Sequence, residues 1–207
     1  MTKLFLVRHG QTQWNAGGRF QGHTDVPLSE EGLRQAEQLA AHFPAERLDA
    51  VYTSDLSRAS CTAQCVASRF GLSIVQTNAL REVHFGAWEG LTYAEIEARW
   101  PEALHRAFER PDLGGATGGE TFRQARRRAW AMLEEIRRRH PDQNVALFAH
   151  GGINRALLTK LLHMPLRYFW TLQQENTAVN VFRCDADGGI WVERINDTSH
   201  LRICAKA

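Results

Sequence analysis

Residues 4–15 read LFLVRHGQTQWN and residues 144–152 read NVALFAHGG. Each carries an unbroken apolar run, the first stopping at Arg8, His9 and Gly10 and the second, from Val145 to Ala149, at His150 and Gly151. A short apolar run without alternation fits a strand covered on both faces, as in a parallel sheet. Gly10 and Gly151 then release the chain from the sheet.

Working outward, Ser29 opens a helix with Leu33, Ala36, Leu39, Ala40 and Phe43 on its inner face. DAVYTS (49–54) reads as a second strand. Asp55 is placed to cap a helix whose stripe is Leu56, Ala59, Ala63, Val66, Ala67 and Phe70, and SIVQT (73–77) is a short third strand. Thr92-Tyr93-Ala94-Glu95 matches a capping box for a short helix ending near Pro101. The Gly-rich stretch 110–120 is a loop, followed by a long helix with Phe122, Ala125, Ala129, Met132, Leu133 and Ile136 facing the core. A further helix after residue 150 carries Ala156, Leu157, Leu161 and Leu162. TAVNVF (177–182) and IWVERI (190–195) pair around Asp187-Gly188-Gly189. Strands alternating with helices predict a layered α/β fold, a three-layer α/β/α sandwich on a mostly parallel sheet. Residues 1–207 are read as one catalytic domain.

The chain of 207 residues is 43% hydrophobic, enough for a substantial core. Its N-terminal apolar run is short for a signal peptide, and no run approaches a membrane span, so a cytoplasmic protein without membrane association is expected. The net charge is only +2, and 22 of the 25 basic residues are Arg, including runs at 126–128 and 137–139. Those runs lie on a helix with an apolar opposite face and read as solvated surface rather than a nucleic-acid patch. Arg137–Arg139 also complement the helix dipole. Cys61, Cys65, Cys184 and Cys204 form no CxxC pair and read as buried free thiols.

Residues just beyond the carboxyl ends of strands line the ligand crevice of an open α/β sheet. His9 and His150 are therefore expected to face one another, although 141 positions apart. Arg58, near the start of its helix, is in reach of the same crevice. Arg8 and Arg58 offer forked donors for phosphoryl oxygens, and the amides at the helix starting near Gly151 add more.

The blocks LVRHGQTQWN, GRFQGHTDVPLSEEG, YTSDLSRASCTA, LREVHFGAWEGLT, GGET and FAHGG, in this order, resemble the histidine phosphatase superfamily, in its phosphoglycerate-mutase-like branch. The likeness runs nearly the whole length, through NDTSHL at 196–201. RHG alone is a weak signal; six ordered blocks are specific. The resemblance implies a phosphate pocket of Arg8, His9, Arg58 and His150, with His9 as nucleophile and Glu82 as proton donor. Asn15 and Gln21 are implied as phosphate or substrate contacts. No metal or other cofactor is implied.

Phosphate monoesters hydrolyse so slowly that enzymes must supply accelerations of up to about 10²¹-fold. A nucleophile, charge neutralisation and leaving-group protonation are all required. Neighbouring arginines hold an imidazole neutral and nucleophilic while spreading phosphoryl charge. A mutase needs a larger cover that excludes water. Here the stretch from Glu82 to His150 is short, and VHFGAWEGLT lacks the Tyr and Lys usual in mutases, which favours a phosphatase. FGAWEG is most similar to α-ribazole phosphatases of cobalamin synthesis and to broad-specificity members, making α-ribazole 5'-phosphate the first substrate expected. Phosphoserine phosphatase, phosphoglycerate mutase and a non-catalytic phospho-ligand-binding regulator are the alternatives. Arg81, Arg106 and Arg110 are candidates for an acidic substrate; His84, Phe85, Trp88 and Trp100 for an apolar lid within 83–120, although such aromatics more often belong to the core. The expected partner is a small-molecule phosphomonoester, with a homodimer left open.

Overall fold

The computed structural model describes residues 1–185 and 187–205, with backbone alone for the last three. In chain order the elements are β1 (Thr2–Arg8), α1 (Gln13–Ala16), α2 (Glu30–Ala41), β2 (Ala50–Ser54), α3 (Ser57–Arg69), β3 (Ile74–Thr77), α4 (Tyr93–Arg99), α5 (Pro101–Glu109), α6 (Phe122–Arg139), β4 (Asn144–Ala149), α7 (Gly151–Leu161), β5 (Val179–Cys184) and β6 (Ile190–Asp197). The strands form one six-stranded sheet in the order β3-β2-β4-β1-β5-β6. Its first four strands run parallel, and β5 pairs antiparallel with both β1 and β6.

Alternation along the central strands sends side chains to opposite faces. Phe5, Val7, Ala146 and Phe148 pack with Leu39 of α2 and Ala63, Val66 and Ala67 of α3. Leu4, Leu6, Val145, Leu147 and Ala149 meet Phe122, Ala125, Ala129 and Leu133 of α6 and Ile153, Ala156 and Leu157 of α7. The sheet is therefore covered on both faces, the three-layer arrangement the apolar runs predict.

Several local expectations need correction. Asp55 does not cap α3. The N-cap is Leu56, with no side-chain cap bond, and Asp55 instead receives two hydrogen bonds from Arg81 at 2.8 and 2.6 Å. A free amide at a helix start competes poorly with a forked guanidinium for a carboxylate. Leu33 is exposed at 47%, and Gly32, Gln35, Ala36 and Leu39 make the buried face of α2. Helix α5 escaped the sequence reading because Pro101 looked like a terminator, whereas it occupies the first helical turn, where its missing N–H has no partner to lose. Cys61 is exposed and Cys65 half-buried, so only Cys184 is a buried thiol among the described side chains; Cys204 lies outside them.

Candidate active site

β1 and β4 are neighbours in register, with Arg8 opposite Ala149, so His9 and His150 leave the sheet on the next rung. Their rings meet edge to face with centroids 5.1 Å apart. Both are buried, and both lie at the carboxyl end of the sheet. Gly10 is required here by proximity: a Cβ on it would come within 2.5 Å of the Gly32 carbonyl oxygen at the start of α2.

Hydrogen-bond polarity fixes the two tautomers. His9 Nδ1 lies 2.6 Å from the Gly10 carbonyl oxygen, which only accepts, so Nδ1 carries the proton and Nε2 keeps its lone pair. Arg58 Nε donates to His150 Nδ1 at 3.2 Å, so His150 Nδ1 accepts and Nε2 carries the proton. That Nε2 is buried with no protein partner among the described residues, as is Arg8 Nε. Burial, followed by the charges of Arg58 and Arg8, pushes the His9 pKa well below its usual value. Burial and Arg58 do the same to His150, with smaller contributions from His9, Arg128 and Arg8. Burial also lowers Arg8 and Arg58, each to about 10, which leaves them charged near neutrality.

Arg58 is held by its second position in α3 and by carbonyls of the preceding loop. Its NH1 and NH2 donate to Thr24 O and Gly22 O, both at 2.8 Å. Of five N–H groups, three are engaged and two remain. Arg8 NH1 donates to Gln174 O at 2.5 Å. Asn15 closes a capping box on α1 with Thr12, and its Oδ1 accepts from the Thr12 amide at 3.1 Å, while its Nδ2 has no partner among the described residues. The Thr12 hydroxyl donates to Gln21 Oε1 at 3.0 Å, leaving the Gln21 amide nitrogen free.

Glu82 is buried and sits against the start of α7. Its Oε2 accepts from Gly152 N at 2.9 Å, and its Oε1 from Ile153 N at 3.0 Å and Val83 N at 2.8 Å. Gly152 makes the approach feasible, since a Cβ on it would lie 2.5 Å from Glu82 Oε1. The backbone carrying Glu82 is clamped by Arg128, which donates to the carbonyls of Ala79, Arg81 and Glu82 at 2.9, 2.8 and 2.7 Å. Glu120 completes the clamp as the ion-pair partner of Arg128 and the acceptor for His84 N at 3.0 Å. Arg128 is thus turned inward, unlike the solvated run expected of 126–128.

These groups open on one cavity of ≈ 200 Å³ that gathers Arg8, His9, Asn15, Gln21, Arg58, Glu82, Gly151 and Gly152. His150 stands behind His9 and Arg58. Phe20, Phe85 and Trp170 form the apolar wall, and Arg155 adds a further cation. Sequence reading missed Phe20, Trp170 and Arg155. Only Phe85 of the proposed lid aromatics lines the cavity: Trp88 is fully buried, Trp100 packs against the core and His84 packs at a tilt against His23. Nor do the arginines expected to hold an acidic substrate contribute. Arg81 is paired with Asp55, Arg110 with Asp112, and Arg106 lines a separate cleft with Glu102 and Glu120. A larger cleft of ≈ 700 Å³ lies around Met1, Thr2 and Pro141 and shares no lining residue with this cavity. Among the described residues no cluster of three or more His, Cys, Asp or Glu is arranged for a metal, and no helix is long and apolar enough to cross a membrane.

A lone-pair imidazole, two charged guanidiniums and a carboxyl group line one small cavity, with a proton-bearing imidazole behind them, a set of groups suited to a phosphoryl group. The comparisons with known proteins agree with that class. Residues 4–198 match the histidine phosphatase superfamily (branch 1). The chain is 34% identical to phosphoserine phosphatase 1 of Hydrogenobacter thermophilus over 201 residues, 97% of this chain and 95% of that protein. It is 38% identical to a glucosyl-3-phosphoglycerate phosphatase of Mycobacterium tuberculosis, covering 79% of this chain and 77% of the other. Among solved structures, Bacillus stearothermophilus YhfR superposes with a TM-score of 0.91 at 35% identity, over 97% of this chain and 100% of that one. The chain belongs to the histidine phosphatase superfamily, and it is a phosphatase of that superfamily.

Proposed function

We propose that the protein hydrolyses small phosphomonoesters through a phosphohistidine on His9, without a metal or other cofactor. The observation that carries this reading is the opposite polarity of two adjacent histidines, a lone pair on His9 Nε2 at the cavity and a proton on His150 Nε2 just behind it. In the first step His9 Nε2 attacks phosphorus, and the bond from phosphorus to the ester oxygen breaks. The Glu82 carboxyl passes its proton to the leaving oxygen, and the alcohol departs. Arg8, the two free N–H groups of Arg58 and His150 Nε2–H stabilise the three phosphoryl oxygens, while Asn15, Gln21 and the Gly151 amide supply neutral donors. In the second step Glu82, now a carboxylate, takes a proton from water. The resulting hydroxide attacks phosphorus, the bond to Nε2 breaks and inorganic phosphate leaves with His9 and Glu82 restored.

The substrate ranks as a compact phosphorylated metabolite, with phosphoserine ahead of α-ribazole 5'-phosphate. The cavity of ≈ 200 Å³ is below the roughly 300–1,000 Å³ that encloses drug-sized ligands. It suits a phosphoryl group on a three-carbon stub better than a benzimidazole riboside. The phosphoserine phosphatase name of the Hydrogenobacter relative points the same way. Segment 83–120 serves as a fixed wall over the site more than a moving lid. Phe108 stacks on Trp170 with centroids 4.3 Å apart, and Trp170 Nε1 donates to Ala107 O at 2.9 Å.

Hydrolysis of p-nitrophenyl phosphate in excess chelator, followed by a panel of phosphoserine, 3-phosphoglycerate and α-ribazole 5'-phosphate, tests both levels. Activity that survives chelation and ranks phosphoserine first is expected. Inertness, or loss of activity with the metal, overturns the proposal, and isomerisation of 3-phosphoglycerate faster than any hydrolysis replaces it with a mutase.

A further inference from the structure

Arg155 has a geometry that phosphoryl transfer leaves unexplained. It follows Gly151 by one helical turn on α7, and helical side chains lean toward the N-terminus, so it reaches back over the glycine toward the cavity. A Cβ at Gly151 would lie 3.3 Å from Arg8 Nε and 3.4 Å from Arg155 NH1, so both guanidiniums lie against the face of that glycine. Arg155 Nε donates to Leu172 O at 2.8 Å, and the guanidinium lies 5.5 Å from the Trp170 ring centroid. Among the described residues its terminal nitrogens meet no acceptor and it forms no ion pair. The carboxylates acting on it, Glu82 and the exposed Glu175, do so at a distance.

Charge balance sharpens the point. Four arginines line the cavity against one carboxylate, Glu82, and among the described residues only Arg19 of the four is paired, with Glu95 at 3.0 Å. A phosphate dianion answers Arg8 and Arg58. Arg155 remains, anchored at Nε, backed by an aromatic face and open at the two nitrogens that form a fork.

We propose that Arg155, supported by Trp170, is a second anion subsite that binds the carboxylate of a phosphorylated hydroxy or amino acid while Arg8 and Arg58 hold its phosphoryl group. The assignment rests on reading the cavity as the phosphoryl site, and it makes Arg155 the residue that separates carboxylated from neutral phosphomonoesters.

The test compares 3-phosphoglycerate with glycerol 3-phosphate, which carries CH₂OH where the first has a carboxylate. A charge-assisted forked pair predicts that the wild-type enzyme favours 3-phosphoglycerate by about 10- to 100-fold in kcat/KM. In Arg155→Met that ratio falls toward unity, and Arg155→Lys recovers part of it as a charge without the fork. A wild-type ratio near unity, or one that Arg155→Met leaves within about threefold of wild type, overturns the subsite. The wild-type ratio alone decides the matter if the variant does not fold. Failure of the phosphatase reading shows separately, as no turnover of either ester. Calorimetric titration with the same two compounds then reads the subsite directly: preferential binding of 3-phosphoglycerate supports it, and equal binding overturns it.

Discussion

The ends of β1 and β4 are built alike and wired oppositely. Each strand delivers a histidine to the same rung, each histidine is buried, and a glycine one or two residues later gives room to another segment, Gly10 to the start of α2 and Gly152 to Glu82. At β1 the partner is a carbonyl, which forces Nδ1 to donate and leaves a lone pair on Nε2; at β4 it is a guanidinium, which forces Nδ1 to accept and leaves a proton on Nε2. Two copies of one motif thus yield a nucleophile and an electrophilic donor. The difference lies in one hydrogen bond supplied from elsewhere in the fold.

Removing each histidine tests this asymmetry with the largest effects. His9→Ala is expected to reduce kcat by about 10⁴-fold or more, since the covalent route disappears. His150→Ala is expected to lose about 10²–10³-fold, the scale of one transition-state donor, and to retain the phosphoenzyme. Equal losses, or the reverse order, would mean the two roles are misassigned. Glu82→Gln comes next and discriminates by leaving group. Loss of the proton donor lowers kcat for an alkyl phosphate by about 10²-fold or more, and by much less for p-nitrophenyl phosphate, whose phenolate leaves without a proton. A uniform loss on both substrates would remove Glu82 from the acid role.

Arg128→Met should weaken the clamp on the Glu82 backbone and lower kcat by about tenfold with KM little changed. It should show the same leaving-group dependence as Glu82→Gln, which mere loss of stability would not produce. The smallest effect concerns pH. His9 and His150 lie well below the usual histidine pKa, and burial, opposed by Asp197, lowers His200 to about 4. Below pH about 6.5 the unfolded chain takes up protons that the native protein refuses, so stability falls as pH falls. A lower Tm at pH 5 than at pH 7 is expected, with a shallower decline in His200→Gln; a Tm that rises on acidification would contradict these shifts.

The apolar runs at 4–7 and 145–149 specified the central strands, because a strand buried on both faces leaves no room for polar side chains. The histidine junctions and the Ser29 and Thr92 caps were equally legible, as each depends on neighbours within a few residues. Arg155 and Arg128 were not. Their sequence contexts, NRAL and RRRAW, resemble ordinary helical surface, and only the packing of α7 and α6 against distant loops turns them inward. Asp55 shows the converse: its local signal for a cap was sound, but Arg81, 26 positions away, was a stronger partner. Arg81, Arg106 and Arg110 failed as substrate ligands for a similar reason, since the sequence shows a charge but not the group that neutralises it.

The decisive measurement is rapid acid-free quenching of the enzyme during turnover, with the phosphoryl group located by mass spectrometry and its linkage assigned by ³¹P NMR. An acid-labile phosphoramidate on His9 Nε2, formed and consumed at rates that match turnover and absent in His9→Ala, is the expected result. Turnover without a phosphoenzyme, or a phosphoryl group on any residue other than His9, would contradict it.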